Sequence, residues 1–317
     1  MTISEKQNIL VIGGGGFIGV ALLKSLVENE EYNLFVLETP FANISKIQHL
    51  DKDITIFKGV LADYDLLQSI ITDHSISIVI HLVSTLVPGS SYDDYKREFE
   101  NIIFPTVRLM GLCAERDIKF VYFSSGGTIY GNNSHEKFIE DDLREPISYY
   151  GLSKQIIEDS ILFEHRRGNL RYLIVRPSNP FGPGQSLNGV QGLIAVAIGK
   201  ILAQEPIIIW GDGSSVRDYI YIDDLVSTMF ELIHKDIENE ILNIGSGIGY
   251  SINDILSHLK NIVGENINVQ YETSRSVDVS SVILDISKLQ SFVKTNFTPI
   301  DEGIQIFYND VKSILKI

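Results

Sequence analysis

The sequence predicts an α/β fold: a doubly wound parallel sheet with a smaller, interleaved C-terminal part. Three observations carry that prediction. Short apolar runs, β-branched or aromatic, alternate with longer amphipathic runs through the first two-thirds of the chain. A glycine-rich stretch joins the first apolar run directly to the first amphipathic one. After Arg176 the composition shifts to proline- and glycine-rich loops between shorter elements.

In chain order, Asn8–Ile12, Asn33–Leu37, Ile54–Phe57, Ile76–Leu82, Phe120–Phe123 and Tyr172–Val175 read as strands. Phe17–Glu28, Tyr64–Asp73, Asp94–Arg116 and Tyr149–His165 read as helices. Continuous apolar strands separated by helices mark a parallel sheet covered on both faces. Beyond Arg176, Gly192–Ala203 and Asp223–His234 read as helices, and Ile207–Trp210, Asp218–Tyr221 and Ile241–Ile244 as strands. Residues 1–176 are expected to form the sheet domain, with part of 212–250 returning to it. Residues 177–317 are expected to form mainly a substrate-binding domain. Ligands are expected at the carboxyl edge of the sheet, between the two parts.

The chain has 317 residues, 44% of them apolar, enough for a sizeable core. Its 26 Lys and Arg against 41 Asp and Glu give a formal charge of −15. That balance argues against nucleic acid and anionic membranes as partners, because phosphate backbones are bound by clustered cations. An anionic small molecule stays open, since a few local cations and a helix N-terminus can overrule the global field. Cys113 is the only cysteine, which excludes an intrachain disulfide and a thiolate metal cage. No metal is expected. The N-terminal stretch reads as neither a signal peptide nor an anchor, and no apolar run reaches the roughly 18 residues of a membrane span. A reducing, cytoplasmic compartment is expected.

The strand Asn8–Ile12 runs straight into Gly13-Gly-Gly-Gly-Phe17-Ile18-Gly19, where a helical pattern starts at once. Gly13 permits a tight turn, Gly16 lets backbone approach a pyrophosphate, and Gly19 lets the helix sit against the strand. The amides from Gly16 through Phe17 and Ile18 to Gly19 then face the phosphates, helped by the helix dipole. This is the dinucleotide loop of a Rossmann sheet. Glu38 ends the second strand about 20 residues further on, where a carboxylate accepts hydrogen bonds from a ribose 2′-hydroxyl and repels a 2′-phosphate. No Arg or Lys occurs from Thr39 to Ser45. NAD is therefore expected rather than NADP.

Tyr150-Gly-Leu-Ser-Lys154 puts a phenol and an ammonium on one helix face. The ammonium favours the phenolate, so the tyrosine can take or give a proton near neutral pH. An alcohol losing hydride from its carbon needs such a base.

Taken together, GGGGFIG, HLVST, FSSGGTIYG, YYGLSK, RPSNPFGPGQ and GDGSSVRDYIYIDD resemble the extended short-chain dehydrogenase/reductase family. Within it the chain is most similar to NAD-dependent sugar-nucleotide epimerases of the UDP-glucose 4-epimerase type, from Asn8 to about Gly303. The resemblance implies transient oxidation of a sugar C4 hydroxyl to a 4-keto sugar, which turns and takes hydride back on its other face. It makes Tyr150 the proton acceptor and donor, and Lys154 the residue that holds the nicotinamide ribose. It also places Leu61, Leu82, Val83, Ser84, Asn101 and Pro177 at the cofactor. His81 is expected to be a packed strand-end histidine. On the substrate side the resemblance implies Asn179 and Arg217 at a nucleotide diphosphate, Arg275 at a second phosphate position and Asp278 at the nucleotide ribose. UDP is expected ahead of dTDP. Val282 falls where some relatives carry an aromatic pocket wall, and a smaller wall there would admit a 2-acetamido sugar, so UDP-N-acetylglucosamine is expected beside UDP-glucose as a substrate. A homodimer is implied through the helices Asp94–Arg116 and Tyr149–His165. Ile102, Leu109, Ile156 and Ile157 are compatible with that interface or with the sheet.

Two departures stand out. The family commonly has Ser or Thr at the third position of its Ser-Ser-x motif, where this chain has Gly126. Thr128 is expected to supply the missing hydroxyl, with Ser125 in reserve. Val60 follows Gly59 where many relatives carry an Asp for the adenine. Adenine recognition then falls to backbone near Leu61 or to Asp63. Two other readings remain: an NDP-4-keto-6-deoxysugar reductase on the same fold, and a non-catalytic dinucleotide-sensing scaffold. Glu38 argues against the first, whose members usually prefer NADPH, and the retained Tyr150 and Lys154 argue against the second.

Overall fold

The alternation of apolar and amphipathic runs becomes a seven-stranded sheet. The structure, a computed structural model, describes residues 6–48, 50, 53–132, 135–189, 191–264, 267–273 and 280–316. The first half runs β1 (Gln7–Ile12), α1 (Phe17–Val27), β2 (Tyr32–Glu38), α2 (Ser45–Gln48), β3 (Ile54–Lys58), α3 (Tyr64–Asp73), β4 (Ile78–His81) and α4 (Tyr92–Glu98). A π-helical turn, Phe99–Ile103, leads into α5 (Phe104–Glu115), then β5 (Lys119–Phe123), α6 (Gly126–Ile129), α7 (Tyr149–Gly168) and β6 (Tyr172–Pro177). The rest comprises β7 (Asn179–Phe181), α8 (Leu193–Leu202), β8 (Ile207–Trp210), β9 (Val216–Tyr221), α9 (Ile222–His234) and β10 (Glu240–Ile244). It closes with β11 (Gly249–Ser251), α10 (Ile252–Val263), β12 (Val269–Glu272), β13 (Ser281–Val282), α11 (Ser287–Phe292) and α12 (Ile300–Leu315).

The sheet order is β10-β6-β5-β4-β1-β2-β3. The pairings from β3 through β1 and β4 to β6 are all parallel. The chain winds outward from β1 to β3, then returns to lay β4 on the other side of β1. This reversal opens a crevice at the carboxyl ends of β1 and β4, the place where doubly wound sheets bind ligands. Gly13 and Val83 meet there: a Cβ on Gly13 would stand 2.7 Å from Val83 Cγ2. Strands β4, β5 and β6 are buried along their whole length, as strands covered on both faces must be. No helix among the described residues is long and apolar enough to cross a membrane.

Two compact units emerge. The first comprises Met1–Ser124, Ser148–Val175 and Met229–Leu242; the second comprises Ser125–Ile147, Arg176–Thr228 and Asn243–Ile317. The expected boundary at 176 differs from this in one excursion. Ser125–Ile147 belongs to the second unit because Tyr130 and Phe138 pack with Val282 and Leu284, and Phe138 bridges the Ile283–Asp285 backbone. Met229–Leu242 also belongs to the first unit.

The helix expected over Asp94–Arg116 is interrupted. Pro105 has no amide to donate and its ring crowds the carbonyl four residues back. The wider turn relieves this, with the Phe104 amide donating to Phe99 O. It has a second effect. Steps of four residues drift round a 3.6-residue helix, yet Glu98, Ile102 and Thr106 all stay buried. The longer turn absorbs the drift. Ile102, Leu109 and Ile157 face the chain's own core, and Ile156 packs against it, because they sit under the sheet-facing side of their helices. The exposed apolar groups on α4, α5 and α7 are instead Tyr92, Phe104, Tyr149 and Phe163.

Gly19 is fixed by close approach. A Cβ there would lie 2.6 Å from Gly13 O and 2.7 Å from Gly14 Cα, backbone atoms that cannot swing aside. Gly19→Ala is expected to cost about 1–3 kcal/mol of stability by overpacking. Thermal unfolding checks this, and an unchanged melting temperature counts against the packing argument.

Candidate active site

In the first unit, β1 ends in a loop with the features of a phosphate cradle. Gly13 adopts φ +87°, open to glycine at little cost. Gly16 caps α1 without offering a side-chain acceptor, and no acidic residue occupies the first turn, which holds Phe17, Ile18 and Gly19. The leading amides of a helix have no partner within it, and its N-terminal end is electropositive. Glu38, 8% exposed at the end of β2, accepts from the Gly15 amide at 2.6 Å and the Thr39 amide at 3.3 Å. A carboxylate keeps further lone pairs for a ribose diol. The loop, the bare helix end and the strand-end carboxylate together fit a dinucleotide.

Leu61 is buried beyond β3, and Leu82, Val83 and Ser84 follow β4 at the crevice, half-buried. Asn101 departs from expectation. It is exposed in the π turn, and its side-chain amide donates back to Arg97 O at 2.9 Å. His81 is fully buried between Phe120 and Tyr122 and pairs with Thr106 Oγ1 at 2.9 Å. Burial, and then the charge of Lys154, pull its pKa down to about 3, so the ring is neutral packing.

Tyr150 and Lys154 lie in the first turns of α7, which Ser148 caps by accepting from the Gly151 amide. Tyr150 is half-buried. Lys154 is 3% exposed, donates to Phe123 O at 2.9 Å, and stands 5.5 Å from the Tyr150 ring centroid and 5.1 Å from that of Tyr122. Burial pulls its pKa down to about 8, while Glu98 and Glu158 push it back up. Both carboxylates are buried. Neither was anticipated. Glu158 is legible in hindsight, being four residues beyond Lys154 and so on its face. Glu98 carries no such signal.

In the second unit, Ser125 and Gly126 open α6, and Thr128 lies within it. The glycine at 126 has a steric cause. A Cβ there would meet Leu284 Cδ1 at 2.6 Å and Arg176 O at 2.9 Å. Thr128 Oγ1 is buried with no hydrogen-bond partner among the described residues. The turn is braced from below by Arg176, whose guanidinium donates to Tyr130 Oη at 2.9 Å and Glu140 O at 2.8 Å. Tyr130 Oη in turn donates to Asn243 Oδ1 at 2.7 Å. Pro177 is buried at the end of β6.

Asn179 and Arg217 line one cavity of about 200 Å³, with Phe181, Tyr219, Leu193 and Ser215. The Asn179 side-chain amide donates to Asp218 O at 2.8 Å. Val282 is packed inside the cluster of Ile129, Tyr130, Phe138 and Leu284 instead of lining a wall. Arg275 and Asp278 lie outside the described residues.

A family model for NAD-dependent epimerases and dehydratases matches residues 9–245. A UDP-glucose 4-epimerase of Halalkalibacterium halodurans is 30% identical over 303 residues, spanning 90% of this chain and 89% of that protein. A dTDP-4-dehydro-6-deoxyglucose reductase of Escherichia coli is 29% identical over 98% of this chain and 99% of its own. The crystal structure of UDP-glucose 4-epimerase from Thermotoga maritima, with UDP-glucose, superposes with a TM-score of 0.90 at 29% identity. It covers 98% of this chain and all of that one. With its parallel sheet, phosphate cradle and Tyr–Lys pair, the chain belongs to the NAD-dependent epimerase/dehydratase family.

Proposed function

We propose that the protein is a nucleotide-sugar 4-epimerase acting on a UDP-hexose. One observation carries the reading: the half-buried Tyr150 phenol beside a buried ammonium, in the same unit as a dinucleotide cradle. NAD, when bound, supplies the hydride acceptor for C4. Tyr150 takes the proton of the C4 hydroxyl, and Lys154 holds the phenol near its working pKa and engages the nicotinamide ribose. Once the 4-keto sugar has turned, the hydride would return to the other face of C4, and Tyr150 gives its proton back to the C4 oxygen. Thr128 is the hydroxyl at the C4 oxygen, since position 126 leaves no space for one and Thr128 Oγ1 has no partner among the described residues. Ser125 is the reserve.

Arg217 and Asn179 would receive the diphosphate, a guanidinium fork being suited to phosphate oxygens. The apolar and aromatic remainder of their cavity suits a nucleoside. Arg275 and Asp278 keep their proposed roles at the second phosphate and the nucleotide ribose. UDP is preferred to dTDP because the Halalkalibacterium halodurans and Thermotoga maritima relatives are UDP-glucose enzymes by name. The protein is proposed to act as a homodimer in a reducing cytoplasm. The E. coli relative favours a second reading, reduction of a dTDP-4-keto-6-deoxysugar. Incubation with UDP-sugars and no added nicotinamide separates the two. An epimerase inverts the sugar with no net absorbance change, whereas a reductase leaves it unchanged and turns over only when given a 4-keto sugar and reduced cofactor, which it consumes mole for mole.

Tyr150→Phe should abolish turnover while NAD stays bound, and retained full activity would remove Tyr150 as the base. Arg217→Ala should raise KM far more than it lowers the melting temperature, and an unchanged KM would remove it from the phosphate site. Gly126→Ser should lower the melting temperature without raising kcat, and adding Leu284→Ala should restore part of the loss. Failure of that rescue would deny the steric origin of the glycine. Because the charged form of Lys154 is the working one and its pKa is about 8, kcat should fall as pH rises through about 8. A profile flat through that region would count against the pair.

A further inference from the structure

Glu98 is the last residue of α4 and is 1% exposed. A carboxylate removed from water is costly unless donors and a counter-charge meet it. The donors are supplied by a single segment. Ser84 Oγ donates to one carboxylate oxygen at 3.0 Å, and the Thr85 amide donates to the other at 3.0 Å. The Thr85 hydroxyl donates to that second oxygen as well. Three donors from two consecutive residues converge on one buried side chain, and all of them come from the segment after β4. That segment forms the crevice wall opposite Gly13.

Lys154 lies within reach of the Glu98 charge, which raises its pKa. The groups facing it come from four elements. Glu98 projects from α4, Glu158 from the next turn of α7, Tyr122 from β5 and His81 from β4; Tyr150 lies one turn back on α7. His81 is neutral, and burial first, then nearby carboxylates, push the Tyr122 phenol well above its ordinary range, so it too is neutral. The charges acting on the ammonium are therefore the two carboxylates. Of these, Glu98 is the one whose described hydrogen bonds grip the crevice wall.

We propose that Glu98 is a positioning residue that ties the Leu82–Thr85 wall of the cofactor crevice to the charge on Lys154. The proposal deepens the epimerase reading and rests on it for the roles of Tyr150 and Lys154. Glu98 holds the Ser84–Thr85 backbone where the cofactor's ribose and phosphates are expected to pass, and the same carboxylate keeps the neighbouring amine protonated. One side chain thus serves cofactor binding and proton transfer together.

The test uses the full chain with Glu98→Gln, Glu98→Ala and Thr85→Val. NAD affinity is measured by calorimetry from neutral to alkaline pH, and kcat with UDP-glucose over the same range. Glu98→Gln keeps an acceptor for the Thr85 amide but loses the charge. It should move the alkaline fall of both quantities down by about one pH unit, with only a small loss of affinity at neutral pH. Thr85→Val keeps the charge, so it should weaken NAD binding and leave the alkaline fall in place. Glu98→Ala should do both, with NAD bound about tenfold more weakly at neutral pH. Should Glu98→Ala fail to fold, the other two variants decide. A Glu98→Gln profile that superimposes on the parent's overturns the proposal, as does unchanged NAD affinity in Thr85→Val. The NAD measurement needs no sugar. A chain that inverts no UDP-sugar but shows these NAD shifts would overturn the epimerase reading and leave the assignment of Glu98 standing.

Discussion

A protonated amine held out of water is the constraint around which the first unit is arranged. Leaving a lone ammonium inside a protein costs several kcal/mol, and the usual escape is to lose the proton. Lys154 is held back from that escape by a carbonyl, two aromatic faces and two carboxylates. They come from three elements, so β5, α4 and α7 must all be in register for the charge to survive. The same cost keeps the neighbouring imidazole neutral. A second cation at His81 would add repulsion to desolvation, and the ring stays unprotonated.

The second unit solves a comparable problem with different means. Arg176 is 1% exposed, and its donors go to Tyr130 and to the Glu140 backbone. Glu140 Oε1 accepts from the Asn243 amide at 2.8 Å, and the Asn243 side chain donates to Phe138 O at 2.9 Å. This closed set of partners pins the Ser125–Ile147 excursion to its unit. It also fixes the carbonyl of Arg176 against Gly126, and with Leu284 this leaves no room for a side chain there.

The sheet was legible because burial on both faces writes itself as continuous apolar runs, and β1, β2, β5 and β6 lie where those runs lie. The cradle was legible because Gly13, Gly16 and Gly19 each answer a separate steric demand at a fixed interval. Tyr150 and Lys154 stood out from helical spacing only when read together with the dinucleotide loop and the Phe123–Gly131 segment before them. What escaped was set by long-range packing. The membership of Ser125–Ile147 depends on Phe138 meeting Leu284, residues far apart in sequence. The helices after Ile244 were not read, and neither was the π turn, although Pro105 marks where it must fall. Val282 looked like a wall residue and is core, because an apolar side chain signals burial without saying against what. The role of Glu98 had no local sign, since an acidic residue at the end of a short polar helix usually faces solvent.

The π turn has a consequence for how this region can vary. An α-helical residue advances about 100° round its axis, so deleting one position from Phe99–Ile103 would rotate the preceding turns by that angle relative to α5. Glu98 would swing off the Ser84–Thr85 wall while every other residue kept its identity. Substitutions along the exposed side of this stretch leave that geometry intact. The segment is therefore constrained in its count of residues more than in their chemistry, and a change of length by a single codon would be felt where a change of letter would not.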